Sequence, residues 1–435
     1  MLSSHAVGLI GIAAMLLLLA LRMPIGISML LVGIIGFGWL NGWQSALAVL
    51  GSYPYSYAAN YDLAVIPLFV LMGNFAAASG MSRDLFAAAN AWFGHWRGGL
   101  ASATVVACAG FAAVSGSSVA SAVTMGKVCL PEMKRYNYRA SLATGTVAAG
   151  GTLGILIPPS TAFIIYAILT EESIGRLLLA GVLPGLLLTA LFVITIAIWT
   201  RIDPELGPSA ARSDARTRAR SIVQSGPMLV IVGASIGGIY LGIFTPSEAA
   251  AVGAFLAMVF AVWRGAINRT SLADVLLETV KTTSFVFLVL IGALVFGPFL
   301  ALSGLPSMVA GFLVDLELPR VAILAIVLVI YVILGMFLEG FSILVLTLPI
   351  VIPIMKALNY DLIWFGVLMV IVLEMGLISP PVGINVFVVK GLVPDVPITE
   401  IFKGILPFWV AMVVCVVILV IFPQIATFVP DAMID

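Results

Sequence analysis

The chain has 435 residues, 62% hydrophobic and only 9% charged, and its 20 basic and 20 acidic side chains cancel. Soluble domains run at roughly 45–50% and 25%, so a water-soluble surface of this size is excluded, and the lack of a basic footprint argues against nucleic acid. The composition reads as an all-α polytopic membrane protein, with 42 glycines and 23 prolines lying within apolar runs, as in membrane proteins that interrupt their helices.

Residues 1–21 contain no Lys or Arg, so the basic start of a cleavable signal is missing. The run 6–21, closed by Arg22, reads instead as a first span with the N-terminus outside. Apolar runs long enough for spans or hairpins follow at 25–40, 61–79, 101–130, 140–170, 176–199, 225–243, 247–263, 282–302, 321–355, 362–389 and 404–424. Two of these are read as re-entrant hairpins. Segment 101–130 is broken by Ser115-Gly116-Ser117-Ser118, and 321–355 by Glu339-Gly340-Phe341-Ser342. With that assignment 17 of the 20 basic residues fall on the inner side, leaving Arg176, Arg320 and Lys356 outside, as the positive-inside rule asks. Drawing either hairpin as a simple crossing inverts everything after it and spoils the count. The polar stretch 203–221 is predicted to be a flexible cytoplasmic linker. Cys108, Cys129 and Cys415 sit in apolar runs without zinc-type spacing, so neither disulfides nor a thiolate metal site is expected.

The linker separates two halves, 1–202 and 222–435, that repeat one another. Pro24 matches Pro246, Ser79-Gly80 matches Ser303-Gly304, Gly116-Ser117-Ser118 matches Gly340-Phe341-Ser342, and the Gly-x-x-x-Pro-Pro at 154–159 matches that at 376–381, at offsets of 222 or 224. An odd number of crossings between the copies makes the repeats inverted, the construction of secondary transporters. Each half also holds a broken helix, at 140–170 and at 362–389. Two consecutive prolines remove two backbone donors, so the carbonyls of residues 154–157 lose their helical partners at mid-membrane. Such groups persist only where protein, water or an ion satisfies them. An all-oxygen set suits a hard cation such as Na+, and half-helix N-termini suit an anionic substrate group.

The stretches Gly-Ile-Leu-Ile-Pro-Pro-Ser-Thr (154–161), Glu-Met-Gly-Leu-Ile-Ser-Pro-Pro-Val-Gly-Ile-Asn-Val-Phe-Val (374–388) and Gly-Ile-Tyr-Leu-Gly-Ile-Phe-Thr-Pro-Ser-Glu-Ala-Ala-Ala-Val (238–252), with Ala-Val-Ser-Gly-Ser-Ser (113–118) and Ile-Pro-Leu-Phe-Val-Leu-Met-Gly (66–73), resemble the large membrane subunit of TRAP (tripartite ATP-independent periplasmic) transporters, of the DctM and SiaM type. The likeness runs from about residue 5 to 425. It implies an elevator-type permease with scaffold and transport parts in the bacterial inner membrane, importing a small organic acid anion on a sodium gradient. It also implies two partners on separate chains, a small four-helix membrane subunit and a periplasmic substrate-binding protein. Position by position, the resemblance places a first sodium site at Ser115, Gly116, Ser118, Gly154, Ile157 and Pro159. It places a second at Gly335, Gly340, Gly376, Ser379 and Val382. Ser117, Thr161, Glu339 and Asn385 are the candidates for contact with substrate. Glu339 and Ser379 stand where relatives often carry Asp and Thr. No organic cofactor is expected.

Several of these residues have a plainer reading. Glu339, an intramembrane carboxylate and so a functional candidate, could instead cap the second half of its hairpin. Glu374, on the helix before the break, could pair with a proton or a basic partner, or simply face water. Glu248 after Thr245-Pro246-Ser247 reads as a capping box, and Asp62 as a helix cap. His5 and His95 read as interfacial. Segment 82–97 mixes aromatics and charges as interfacial helices do, with a counterpart after Ser303-Gly304. An intramembrane hydrolase is disfavoured because the buried serines have no His partner and no aspartate pair occurs, so no catalytic residue is expected. The competing transport reading is a stand-alone sodium/divalent-anion symporter needing no binding protein.

Overall fold

The structure is a computed structural model describing residues 3–210, 212–315 and 318–433; residues 1, 2, 211, 316, 317, 434 and 435, which belong to the two predicted repeats and the linker, lie outside the described residues. Every regular element described is helical. The first half holds α1 (Ser4–Ala20), α2 (Ile25–Asn41), α3 (Trp43–Ala58), α4 (Val65–Ala78), α5 (Met81–Phe93), α6 (Gly99–Ser115), α7 (Ser118–Arg135), α8 (Ala140–Leu156), α9 (Thr161–Thr170), α10 (Ile174–Ala180) and α11 (Val182–Ile202). The second holds α12 (Ala215–Tyr240), α13 (Pro246–Trp263), α14 (Arg269–Ser303), α15 (Leu305–Asp315), α16 (Arg320–Gly335), α17 (Gly340–Ala357), α18 (Leu362–Leu377), α19 (Ile384–Leu392), α20 (Ile398–Ile421) and α21 (Gln424–Asp431). Among the described residues seven stretches are long and apolar enough to cross a bilayer, eight if α8 and α9, bent by 40° at their break, form one span.

The helix boundaries follow the local chemistry. Thr245 and Glu248 form the expected capping box on α13, with Thr245 N–H donating to Glu248 Oε2 at 2.9 Å. Asp62 is not the cap foreseen: Asn60 accepts from Asp62 N–H at 2.9 Å, because the cap lies one residue before the turn and not inside it. α5 and α15 occupy the two stretches expected to be interfacial, and Trp92 and Trp96 are exposed. His5 is tied inward by a hydrogen bond between Nδ1 and Ser303 O at 2.9 Å.

The start of the linker packs beside the first hairpin, with Gly98 N–H donating to Gly207 O at 2.9 Å, Ala210 N–H to Gly94 O at 3.0 Å and Tyr138 Oη to Pro208 O at 3.0 Å. α12 then begins at Ala215, inside the predicted linker.

Two sets of loops gather at the two ends of α4 and α13. One set unites Asp84 with Arg264 by an ion pair, Trp92 with Arg218 by a cation–π contact at 5.6 Å, and Gly98 with Gly207. The other unites Asn60, Asp62, Glu171, Ser173, Thr245 and Pro246 around a cavity of about 570 Å³. α13 starts in the second set at Pro246 and ends beside Arg264 in the first. At the centre, α8 and α18 are buried on all sides, as helices apolar all round must be.

Candidate functional site

α6 and α7 fold back on each other. Gly116 between them has φ +62°, a left-handed turn that glycine adopts without steric cost, and Ser117 caps α7 by accepting from Ala120 N–H at 3.3 Å. The two open ends meet where Leu100 N–H donates to Tyr138 Oη at 3.1 Å. α16 and α17 fold back likewise. Tyr331 Oη and Thr347 Oγ1 bond across them at 2.5 Å, and Arg320 lies 5.7 Å over the Tyr360 ring at their open end. α17 is capped by Glu339, which accepts from both N–H and Oγ of Ser342 at 3.4 Å.

Each hairpin turn reaches a helix break. Pro158-Pro159 and Pro380-Pro381 are both cis and separate α8 from α9 and α18 from α19. At the first break, residues 158 and 159 have no N–H to offer the carbonyls of Gly154 and Ile155. The expected first-site residues converge closely here. A methyl group built on Gly154 would lie 2.5 Å from Ser117 O and 2.6 Å from Ser121 Oγ, and one on Gly116 would lie 3.0 Å from Pro159 O. Thr161 Oγ1 donates to Gly116 O at 2.9 Å, and Ser115 Oγ bonds Ser121 Oγ at 2.6 Å. Ser118 is buried at the start of α7, and Ile157 ends α8 with its side chain against Gly185. Freed carbonyls surrounded by hydroxyls fit an oxygen-loving monovalent cation.

At the second break, Gly335 and Gly376 touch backbone to backbone: a methyl on Gly376 would lie 2.5 Å from Gly335 Cα. Ser379 is more committed than expected. Its hydroxyl donates to Met375 O at 2.6 Å and accepts from Trp409 Nε1 at 2.9 Å, and its N–H donates to Gly376 O at 2.9 Å. A methyl group built on Gly340 would meet nothing within 4 Å, and Val382 is 36% exposed beyond the prolines.

Both hairpin turns and both broken helices line one cavity of about 60 Å³, which includes Ser117, Ser118, Glu339, Gly340, Leu373 and Glu374. Drug-sized ligands need roughly 300 Å³ or more, so the cavity as it stands is too small for a ligand of that size. Of the four substrate candidates, Ser117 and Glu339 line this cavity, while Thr161 is bonded to Gly116. Asn385 is fully buried on α19, and neither its Oδ1 nor its Nδ2 has a hydrogen-bond partner. Ser121 and Trp409 were missed from the sequence. Ser121 lies one helical turn beyond Ser117, a spacing that signals a shared face; Trp409 is 30 residues from Ser379, and no sequence signal joins them.

The family model described as "Tripartite ATP-independent periplasmic transporter, DctM component" matches residues 12–425. The C4-dicarboxylate TRAP transporter large permease protein DctM of Pseudomonas aeruginosa is 37% identical over 86% of this chain and 87% of its own length. The sialic acid TRAP transporter large permease protein SiaM of Vibrio cholerae is 31% identical over 95% and 96%. Among solved structures, the YdaH transporter of Alcanivorax borkumensis superposes with a TM-score of 0.64 at 14% identity, covering 89% of this chain and 88% of that one, a likeness of fold. The broken helices, the paired hairpins and the match over nearly the whole length lead to one conclusion: this chain belongs to the tripartite ATP-independent periplasmic transporters, as a DctM component and hence a multi-pass membrane transporter subunit, not an enzyme.

Proposed function

We propose that the chain carries a small organic acid anion, a carboxylate or sugar acid, across the bacterial inner membrane in symport with Na+ held at the two helix breaks. The substrate is handed over by a periplasmic binding protein, and a small four-helix membrane subunit completes the assembly. The observation that carries this reading is the convergence of two hairpin turns and two helices, each interrupted by a pair of prolines that lack N–H donors, on one cavity. The word tripartite in the family description supports the two partners, and relatives named for C4-dicarboxylate and sialic acid support an acid as cargo.

Inversion of the halves is part of the proposal. The open end of α6–α7 lies beside Pro208, with the loops that pair Asp84 and Arg264, whereas α18 begins next to Tyr166, whose Oη donates to Leu362 O at 2.7 Å just before the Ala167–Glu171 wall of the other end. These contacts support hairpins entering from opposite faces. In an elevator cycle the hairpins and broken helices move together, and the Asp84–Arg264 face is cytoplasmic, which leaves the N-terminus outside.

The test is uptake of labelled organic acids into proteoliposomes holding this chain and its small subunit, with the binding protein added outside. Uptake is expected only with an inward Na+ gradient, and Ser115→Ala is expected to cut it at least about tenfold by removing a hydroxyl from the first break. Undiminished uptake without a sodium gradient overturns the coupling. Uptake by this chain alone, without binding protein, favours the stand-alone symporter.

A further inference from the structure

The first turns of α12 carry a concentration of positive charge that the chain does not answer. Residues 212–220 hold Arg212, Arg216, Arg218 and Arg220 against a single acid, Asp214. Asp214 is spent on the helix cap, accepting from Thr217 N–H at 3.2 Å. Other acids at this end are paired elsewhere, Asp84 with Arg264, and Asp203 and Glu205 with Arg139. Among the described residues none of the four arginines forms an ion pair. Cations in the first turn of a helix also oppose its dipole, so this sequence costs stability unless an anion from outside the chain meets it.

The two faces of α12 are used differently. One is fastened to α5: Arg218 Nε donates to Ala91 O at 3.2 Å, its guanidinium lies 5.6 Å from the Trp92 ring, and Ser225 Oγ donates to Asp84 O at 3.4 Å. Arg218 Nη2 is buried without a partner. Arg216, Arg220, Val223 and Val230, at steps of four, three and seven, share the opposite face, and all four are exposed. That face passes from guanidinium to bare valine within one turn, about 5 Å of rise. Ile222 and Leu229 beside it are exposed as well, and so is Trp92. Exposed aliphatics on a helix long and apolar enough to cross a bilayer belong in hydrocarbon, and tryptophan belongs at its edge. Arg216 and Arg220 therefore sit at the depth of the lipid headgroups. A soluble anion or a nucleic acid has to compete there with phosphates already in place.

We infer that the outer face of the first turns of α12, with Arg216 and Arg220 at its centre, is a binding site for an anionic phospholipid, one whose headgroup phosphate is not matched by an amine of its own. Guanidinium suits that ligand, because its N–H fork meets two phosphate oxygens at once. Each basic side chain near an anionic membrane surface strengthens attachment about fivefold. Because α12 is fastened to α5, a lipid held there anchors both helices to one leaflet. The inference needs neither the sodium nor the substrate reading, and it holds whichever leaflet that end faces.

The test is local. The full chain is placed in nanodiscs of phosphatidylcholine, or of phosphatidylcholine mixed with phosphatidylglycerol, and amide exchange is followed through residues 216–223. Exchange there is expected to be at least about fivefold slower with phosphatidylglycerol, with α13 unchanged as the reference. The double variant Arg216→Gln, Arg220→Gln has no side-chain hydrogen bond or ion pair to lose among the described residues, and is expected to exchange alike in both discs. Arg216→Lys, Arg220→Lys keeps the charge and is expected to keep most of the protection. Inorganic phosphate added to the phosphatidylcholine discs is expected to give none. Equal exchange of the native chain in the two discs overturns the assignment. So does protection that survives in the glutamine variant, disappears in the lysine variant, or is reproduced by inorganic phosphate, which would make the ligand a free anion.

Discussion

At the scale of single residues, the second break depends on two missing side chains. Gly335 ends one arm of the hairpin and Gly376 lies near the end of α18, and a methyl group on Gly376 would sit 2.5 Å from Gly335 Cα and 3.0 Å from Val332 O. Both neighbours are helix backbone, which cannot rotate away as a side chain can. Gly376→Ala therefore has to push α16 outward, an overpacking cost of about 1–3 kcal/mol. It is expected to lower the melting temperature of the purified chain and to weaken its sodium response together. Gly340 offers the contrast, because a methyl group built on it would meet nothing within 4 Å and its φ is not in the left-handed region. Gly340→Ala is expected to melt at or slightly above the wild-type temperature, since alanine favours a helix start over glycine by up to about 1 kcal/mol. Equal melting of the two variants would show that the Gly335–Gly376 contact is not needed.

At the scale of elements, each hairpin is closed by a tyrosine just past its second arm. Tyr138 accepts from Leu100 N–H and donates to Pro208 O, so one hydroxyl ties the first arm, the second arm and the linker. Tyr138→Phe leaves the buried Leu100 N–H unpaired, a loss of about 1–3 kcal/mol. The expected outcome is faster amide exchange at Leu100 and across the first turn of α6, with α13 unchanged as the internal reference; equal exchange would mean that the hairpin is held by packing alone. Tyr360 holds the corresponding place in the second hairpin, beside Arg320 and stacked on Trp364 at 5.3 Å. The sequence announces this correspondence, for Met133-Lys134-x-x-Asn137-Tyr138 recurs as Met355-Lys356-x-x-Asn359-Tyr360, and both asparagines have φ +55°. It lies in the loop after each hairpin, beside the glycine and proline matches that relate the two halves. Breaks, turns and caps were legible because Pro, Gly, Ser and Thr act on their own neighbours in the chain. The bond from Trp409 to Ser379, the stranded amide of Asn385 and the contacts of residues 207–210 were not, since each depends on which distant segment packs alongside. α3 was passed over for a related reason: with Pro54 inside it and little of it buried, it gives no clear apolar run.

At the scale of the whole molecule, the arrangement of charge decides which way the chain sits in the bilayer. The end that unites residues 84–98 with 203–218 and 264 carries most of the arginines, including Arg97, Arg139, Arg201, Arg218 and Arg264. The other end has an acidic rim, with Asp62, Glu171 and Glu172 around its cavity, and Arg176 is neutralised by Asp431 at 2.8 Å. Basic loops are retained on the cytoplasmic side during insertion, so in the orientation proposed above the arginine-rich end lies inside and the acidic rim faces the proposed binding protein. The three native cysteines are all buried, and a membrane-impermeant maleimide should therefore find little background in intact cells. A single cysteine at Glu172 is expected to be labelled from outside, and one at Glu205, 87% exposed at its side chain beside Arg139, only after the membrane is opened. The two positions flank α10 and α11, so they also test the crossing made by those helices at the end of the first half of the chain. Labelling of Glu205→Cys in intact cells would turn the molecule over and with it the direction in which each hairpin opens. Labelling of both from one side would instead remove a crossing from the first half and undo the inversion of the repeats.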